Sequence, residues 1–320
     1  MARLTRVRPG QDPGIRRVRA GSGFRYVAPD GSAASDDDRE RISELVIPPA
    51  WEDVWISTNP FGHIQAVGTD DAGRRQYLYH PRWRERRDKG KYARALELAQ
   101  ALPSARRRVT TALRTEGLTR EKVLAVSFRL LDEGAPRIGS ARYLERHGSR
   151  GLTTLLRRDA SVEASVVTLS FPAKSGQRAY IEIDDGELAP AIDELRVGKQ
   201  SAHLLWYRRG RRRLTLTPSE VNTHIRTLTG ERFTAKDFRT LRGTILAADA
   251  LARIGTVDTE RDRKRAELLA VRATAEALGN TPSVARSSYI DPRVFKLYER
   301  GRLLDLDVSP ESAIRKLLSP

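Results

Sequence analysis

The sequence predicts an α+β protein. A small β-rich N-terminal domain spans residues 1–91, and a larger, mostly α-helical domain with one β-hairpin spans residues 92–320. Three observations carry this. Alternating apolar and polar residues separated by turn residues concentrate before residue 91. Capped helix starts concentrate after it. A single alternating pair of segments, residues 165–171 and 178–184, interrupts the helical part.

In chain order, GFRYVAPDG (residues 23–31) predicts a short strand entering a turn. The acidic run Asp36, Asp37, Asp38 reads as a solvated loop. RISELVIPPAW (residues 41–51) predicts a short helix stopped by Pro48 and Pro49. VWISTNPFGHIQAVGTDDAGRRQYLYH (residues 54–80) alternates, and NPFG and DDAG supply its turns. On the last of these strands Arg75, Tyr77 and Tyr79 share one face while Gln76 points the other way. Such a face can read a nucleic-acid groove or pack over a core edge. Trp51 and Trp55 read as core residues.

In the second part, DKGKYAR (residues 88–94) reads as a hinge. Thr217-Pro218-Ser219-Glu220 supplies an N-cap, a Pro at the first helical position and a Glu at the third. Thr234 with Asp237 forms a second capping box, opening a helix to about residue 254. Thr281-Pro282 and Asp291-Pro292 mark two more starts. SVVTLSF and RAYIEID alternate around PAKSGQ, a hairpin with Lys174 at its tip. The basic cluster RRGRRR (residues 208–213) reads as a loop facing backbone phosphate or solvent.

The chain has 320 residues and a formal net charge of +17. The first 90 residues carry 16 Lys and Arg against 13 Asp and Glu, so most of the excess lies in the larger domain. A charge this positive points to a polyanionic partner. Of the 58 basic residues only nine are Lys. Arg suits phosphate because its planar fork donates two hydrogen bonds at once. No apolar run approaches the roughly 20 residues that span a bilayer, so no membrane is expected. The N-terminal residues MARLTRVRPGQDPG carry charge but no apolar stretch, so no secretory leader is expected either.

There is no Cys, which excludes disulfides, thiolate zinc sites and cysteine nucleophiles. His63, His80, His147, His203 and His224 are scattered and lack metal-ligand spacing. No glycine-rich phosphate loop is present, because GTDDAGRR fails that pattern. No cofactor, metal or ATP is therefore expected. An enzyme acting on nucleic acid without them must stabilise phosphoryl charge with its own cations. Its nucleophile must come from Tyr, Ser or His.

Four segments stand out. GAPRIGSARY (residues 134–143) places Arg137 at a helix start after a Gly-Ala-Pro break. FPAKSGQ (residues 171–177) carries Lys174. FTAKDFRTLRGT (residues 233–244) puts Arg239 in the first turns of a capped helix. LGNTPSVARSSYI (residues 278–290) sets Asn280 and Tyr289 nine residues apart across a short Pro-initiated helix. Taken singly, each is ordinary: a helix tyrosine, a turn lysine, a helix-ending asparagine, two arginines among many.

Together and in this order, the segments resemble the type IB DNA topoisomerases, in the compact bacterial form similar to the poxvirus enzyme. IPPAWEDVWI, GHIQAVGTD and GRRQYLYH are similar to that family's small DNA-clamping domain. The resemblance runs from about residue 23 to residue 300. It implies an ATP- and metal-independent enzyme that relaxes supercoiled double-stranded DNA by nicking and religating one strand. It implies that Tyr289 becomes a 3′-phosphotyrosyl ester, that Arg137 and Arg239 grip the non-bridging oxygens, and that Lys174 protonates the leaving 5′-oxygen. Asn280 falls where the family usually has histidine. Asn still donates a hydrogen bond but carries no charge, so that position stabilises rather than titrates. Arg75, Tyr77 and Tyr79 become DNA contacts. A monomeric, cytoplasmic, nucleoid-associated enzyme follows.

Elementary chemistry agrees with these roles. A tyrosine hydroxyl with pKa about 10 is neutral at pH 7, and nearby guanidinium groups favour its phenolate. The leaving alkoxide needs a proton that Arg surrenders poorly and Lys can give. Two competing readings remain. A tyrosine recombinase uses a similar residue set, but usually with a helical N-terminal domain that the strands of residues 23–80 contradict. A non-catalytic architectural DNA-binding protein accounts for the charge but not for the ordered set.

Overall fold

The computed structural model describes residues 3–319 except Ala72, Lys174, Ser175 and Glu231. The chain divides into two compact units, Met1–Gly90 and Lys91–Pro320. The architecture is α+β, as the sequence predicts.

The first unit is an antiparallel sheet with one helix. Its strands are β1 (Gly14–Ala20), β2 (Gly23–Val27), β3 (Glu52–Ser57), β4 (Ile64–Thr69) and β5 (Arg75–Tyr79), in the order β2-β1-β3-β4-β5. Ile15, Val54, Ile56 and Ala66 point to one side and form a small core with Ile42. Ile42 comes from α1 (Asp36–Glu44). The acidic run is therefore the first turn of this helix rather than a loop. Ser35 caps it, accepting from the Asp38 N–H, and the three carboxylates sit where the helix N-terminus favours negative charge. The helix ends at Glu44, before Pro48 and Pro49 are reached. Strand β1, which precedes GFRYV, had no alternation strong enough to predict it. The Trp55 indole lies over Gly14, whose missing side chain makes room for it, and Trp51 packs against the small core.

Helix α2 (Pro81–Leu113) is continuous across the division between the units. The segment 88–94, expected as a hinge, is thus helical. In the second unit Leu98, Leu102, Ala105 and Val109 line one stripe of α2 at helical spacing and enter the main core. The remaining helices are α3 (Arg120–Gly134), α4 (Ala141–His147), α5 (Leu188–Arg196), α6 (Pro218–Thr229), α7 (Ala235–Ile254), α8 (Glu260–Ala277), α9 (Pro282–Ser288), α10 (Arg293–Tyr298) and α11 (Pro310–Leu318).

The expected hairpin is present as β7 (Val166–Pro172) and β8 (Arg178–Asp184), with β6 (Ala160–Glu163) added on its other side. Val167, Leu169, Phe171 and Ile183 face the core by strict alternation. RRGRRR is not a loop. It closes a second hairpin of β9 (Trp206–Arg209) and β10 (Arg212–Thr215), with Gly210 at φ +60° taking the turn. Helices α6 and α7 open as predicted. Glu220 accepts from the Thr217 N–H at 3.0 Å, and Asp237 accepts from the Thr234 N–H at 2.9 Å. Phe238 of α7 meets Phe128 of α3 edge-on, ring centroids 5.2 Å apart, which locks these two buried helices together.

Candidate active site

The Gly-Ala-Pro break ends α3 instead of starting a helix. A Cβ on Gly134 would lie 2.7 Å from Ile181 Cγ2, so only glycine lets the helix end approach β8 this closely. Ala135 then turns into the left-handed region, φ 45° and ψ 42°. Pro136 keeps Ala135 from continuing the right-handed helix. Arg137 follows in an irregular segment, and α4 begins only at Ala141, capped by Ser140. Arg137 is therefore upstream of a helix start, not at one. Its backbone carbonyl accepts from the Leu152 N–H at 2.8 Å, which fixes the segment.

Arg239 is buried in the second turn of α7. It donates from Nη1 to the Ala135 carbonyl at 2.5 Å and from Nη2 to the Leu278 carbonyl at 2.8 Å. The reversed backbone at Ala135 thus aims a carbonyl that orients a cation. Arg137 donates from Nη2 to the Gly279 carbonyl at 3.0 Å and to Asn280 Oδ1. With its oxygen engaged, Asn280 leaves Nδ2 buried and without a partner among the described residues. Nε of Arg239 is in the same condition.

Tyr289 closes the far end of α9, which Thr281 opens by accepting from the Val284 N–H. The Arg239 guanidinium lies over the Tyr289 ring, Cζ 4.9 Å from its centroid. Burial pushes the Tyr289 hydroxyl up, but Arg239, Arg137 and Lys236 outweigh it and hold it below the ordinary phenol value. Burial is also the main reason that Arg239 holds its proton less firmly than usual, with Arg137 adding to it and Tyr289 opposing it.

Four of the five expected catalytic residues, Arg137, Arg239, Asn280 and Tyr289, are thus brought together from segments up to about 150 residues apart. Lys174 lies outside the described residues. Its flanking strands are in place: Pro172 pairs with Arg178, and the Ala173 N–H donates to the Gln177 carbonyl at 2.7 Å.

Sequence reasoning missed what seats Tyr289. A Cβ on Gly243 would lie 2.9 Å from the Tyr289 carbonyl oxygen and 3.0 Å from its Cβ. Thr244 Oγ1 donates to the Thr240 carbonyl at 2.8 Å, lies 3.2 Å from the Tyr289 carbonyl, and accepts from the Asp291 N–H at 3.1 Å. A glycine inside a well-capped helix was the available signal, since it costs helix stability and marks a close approach.

In the first unit, Arg75, Tyr77 and Tyr79 share a face of β5, as their spacing implies. The two rings stack at 6.0 Å, Arg75 Cζ lies 5.9 Å from the Tyr77 ring, and Arg87 Cζ lies 5.5 Å from that of Tyr79. Tyr77 is exposed. Gln76 turns away and donates to Asp70 at 2.8 Å.

Residues 80–301 match the model of the eukaryotic DNA topoisomerase I catalytic core. Residues 23–70 match that of the bacterial DNA topoisomerase IB N-terminal domain. A DNA topoisomerase 1B of Acanthamoeba polyphaga mimivirus is 28% identical over 297 residues, covering 90% of this chain and 88% of that protein. Among solved structures, the XerH site-specific recombinase bound to a palindromic difH substrate is 16% identical with a TM-score of 0.38. That match covers 61% of this chain and 49% of the recombinase chain.

Proposed function

Since this chain belongs to the type IB DNA topoisomerase family, we propose that Tyr289 is its nucleophile and that Arg137, Arg239, Asn280 and Lys174 complete its catalytic set. The observation that carries this reading is the placement of Tyr289 against Arg239, with Arg137 and Asn280 beside it and the hydroxyl held below its usual value.

The Tyr289 oxygen attacks the scissile phosphorus and gives up its proton to solvent water. An O–P bond to tyrosine forms, and the P–O bond to the 5′-carbon breaks. Charge gathers on the two non-bridging oxygens, where the guanidinium groups of Arg137 and Arg239 and the free N–H of Asn280 can take it up. Both arginines are already held by backbone carbonyls, so little reorganisation is needed when that charge develops. Lys174 donates the proton that makes the 5′-oxygen a hydroxyl. Religation runs the same steps backwards, and the tyrosyl ester conserves the energy of the broken bond. The four described residues come from one chain, which supports a monomer acting on double-stranded DNA, and such a substrate places the enzyme with the nucleoid. The domain of residues 1–91 contributes DNA contacts through Arg75, Tyr77 and Tyr79 and acts as a clamp. Residues 92–320 form the catalytic domain.

The test is covalent trapping. Mixed with a labelled duplex and denatured, the wild-type protein should leave a protein–DNA adduct. Tyr289→Phe should bind the same duplex and leave none. Normal adduct formation by Tyr289→Phe would move the nucleophile elsewhere.

A further inference from the structure

Two side-chain bridges outside the candidate site converge on one helix. Helix α11 opens with Pro310 and buries Ala313, Ile314, Leu317 and Leu318, a stripe at helical spacing that lies in the main core. It packs against α7, the helix that carries Arg239 and Gly243. The first bridge leaves the start of α11. Glu311 Oε1 accepts from Arg106 Nη2 at 2.6 Å. The same guanidinium donates to Asp132 through Nε at 2.7 Å and Nη2 at 3.0 Å. Asp132 is buried in the last turn of α3, three residues before Ala135. The Ala135 carbonyl is one of the two that hold Arg239. Arg106 thus fastens α2, the end of α3 and α11 at one point.

The second bridge leaves the other end of α11. The last carbonyls of a helix have no partner within it and favour a cation. Here the Leu318 carbonyl accepts from Arg293 Nη1 at 3.0 Å. Arg293 turns the rest of its fork on Asp291, with Nη2 to Oδ2 at 2.7 Å and Nε to the same oxygen at 3.1 Å. Asp291 is buried, two residues after Tyr289, and a buried carboxylate needs such a cation close by. The Asp291 N–H donates to Thr244 Oγ1, the hydroxyl that lies beside the Tyr289 carbonyl. Neither arm of the candidate site is carried by a long helix of its own. Arg137 stands in an irregular segment, and Tyr289 follows a helix of only seven residues.

We propose, on the reading that Tyr289 is the nucleophile, that α11 is a positioning helix. Through Arg106 at its start and Arg293 at its end it ties the arm that orients Arg239 and the arm that carries Tyr289 to one support, and so sets the phenol against the guanidinium. Arg106 and Arg293 are positioning residues, since each acts through a neighbour: Arg106 through Asp132 and Arg293 through Asp291. In-line attack is sensitive to such support, because a misplacement of about 1 Å can cost about 10²-fold in rate.

The test uses the full-length protein in excess over a labelled duplex, so that the rate of adduct formation is read from bound DNA. Arg293→Lys keeps a charge for Asp291 but replaces the planar fork by a single ammonium, which gives up the Leu318 carbonyl. Glu311→Ala removes the first bridge and leaves Arg106 on Asp132. Each should slow adduct formation by about 10–100-fold with duplex affinity unchanged. Glu311→Gln keeps an acceptor for Arg106 and should retain most of the rate, which separates loss of the bridge from a folding defect. In both slowed variants the midpoint of Tyr289 ionisation, read as the tyrosinate absorbance that Tyr289→Phe in the same background lacks, should rise as the ring loosens from Arg239. Wild-type rates in both variants would overturn the positioning role. Slow adduct formation with an unmoved Tyr289 midpoint would overturn it as well, since a general loss of stability does not act on that one group. Adduct formation by Tyr289→Phe itself would instead remove the nucleophile, and the positioning role with it.

Discussion

Arg239 is held by two carbonyls, Ala135 and Leu278, before any phosphate arrives, and its charge lies against the ring of Tyr289. That contact has a pH signature. The difference in alkaline tyrosinate absorbance between the wild type and Tyr289→Phe isolates this one group among nine tyrosines. Its midpoint should lie below the ordinary value of about 10 and rise in Arg239→Gln, where burial persists and the main opposing charge is gone. An unchanged midpoint would remove Arg239 as the cause. Because the folded value is the lower one, the site stabilises the fold above about pH 10, and the contribution is lost as pH falls through the folded value. Lys174 is testable through its proposed proton. Lys174→Ala should slow cleavage by about 10²–10⁴-fold, the usual worth of a general acid. A substrate with sulfur at the 5′ position should recover the rate, since a thiolate leaves without protonation. Absence of recovery would reduce Lys174 to an electrostatic contact. Tyr289, Arg239 and Asn280 were legible because their residue types sit in motifs with marked helix starts. Gly243 and Thr244 were not, because their role is a close approach to the backbone of Tyr289, and no local pattern encodes a partner 45 residues away.

At the scale of elements, the proposed catalytic segment at Arg137 depends on how α3 ends. Gly134 packs against β8, Ala135 reverses the backbone, and its carbonyl meets Arg239. The two residues therefore respond oppositely to substitution. Gly134→Ala introduces a Cβ 2.7 Å from Ile181 Cγ2 and should cost about 1–3 kcal/mol, the usual penalty of overpacking. Ala135→Gly removes a left-handed strain of roughly 1–2 kcal/mol and adds back some chain entropy, so it should stabilise by about 0.5 kcal/mol. Urea unfolding of the two variants checks both signs, and destabilisation by Ala135→Gly would refute the strain argument. The sequence marked this place as a break but not which side of it the arginine occupies. Gly and Pro signal that a helix stops, whereas the next start depends on Ser140, a cap whose first turn carries no acidic residue to mark it. The acidic run at Asp36–Asp38 misled for a related reason: three like charges read as loop unless Ser35 is recognised as the cap that makes them a first turn. RRGRRR lacks the alternation that marks a strand, and its pairing is fixed instead by burial of Trp206 and Tyr207 at the base.

For the whole molecule, the arrangement of charge and nucleophile sets what the enzyme needs and what it does not. The chain carries a net charge of +17, so binding should weaken steeply with salt as its cations displace condensed counterions. Under the proposed assignment, Arg137 and Arg239 bring two guanidinium groups to one tyrosine, and these would supply the phosphoryl stabilisation that a divalent ion otherwise provides. In the proposed mechanism the tyrosyl ester would keep the bond energy that religation uses, so no ATP would be consumed. Only one nucleophile and one nick are required, and the freed 5′-end can turn under torque until the torsion is gone. Torque of either sign turns it. Purified protein in EDTA and without ATP should therefore relax both positively and negatively supercoiled plasmid, with an initial rate first order in protein. Relaxation should vanish in Tyr289→Phe. A strict magnesium requirement would show that the two guanidinium groups do not suffice. Activity on negative supercoils alone would mean that the reaction needs single-stranded DNA rather than a swivelling duplex. A rate rising with the square of protein concentration, or confined to plasmids bearing paired sites, would mean that the reaction needs a synapse of several protomers, as in a recombinase, instead of the single site formed within one chain.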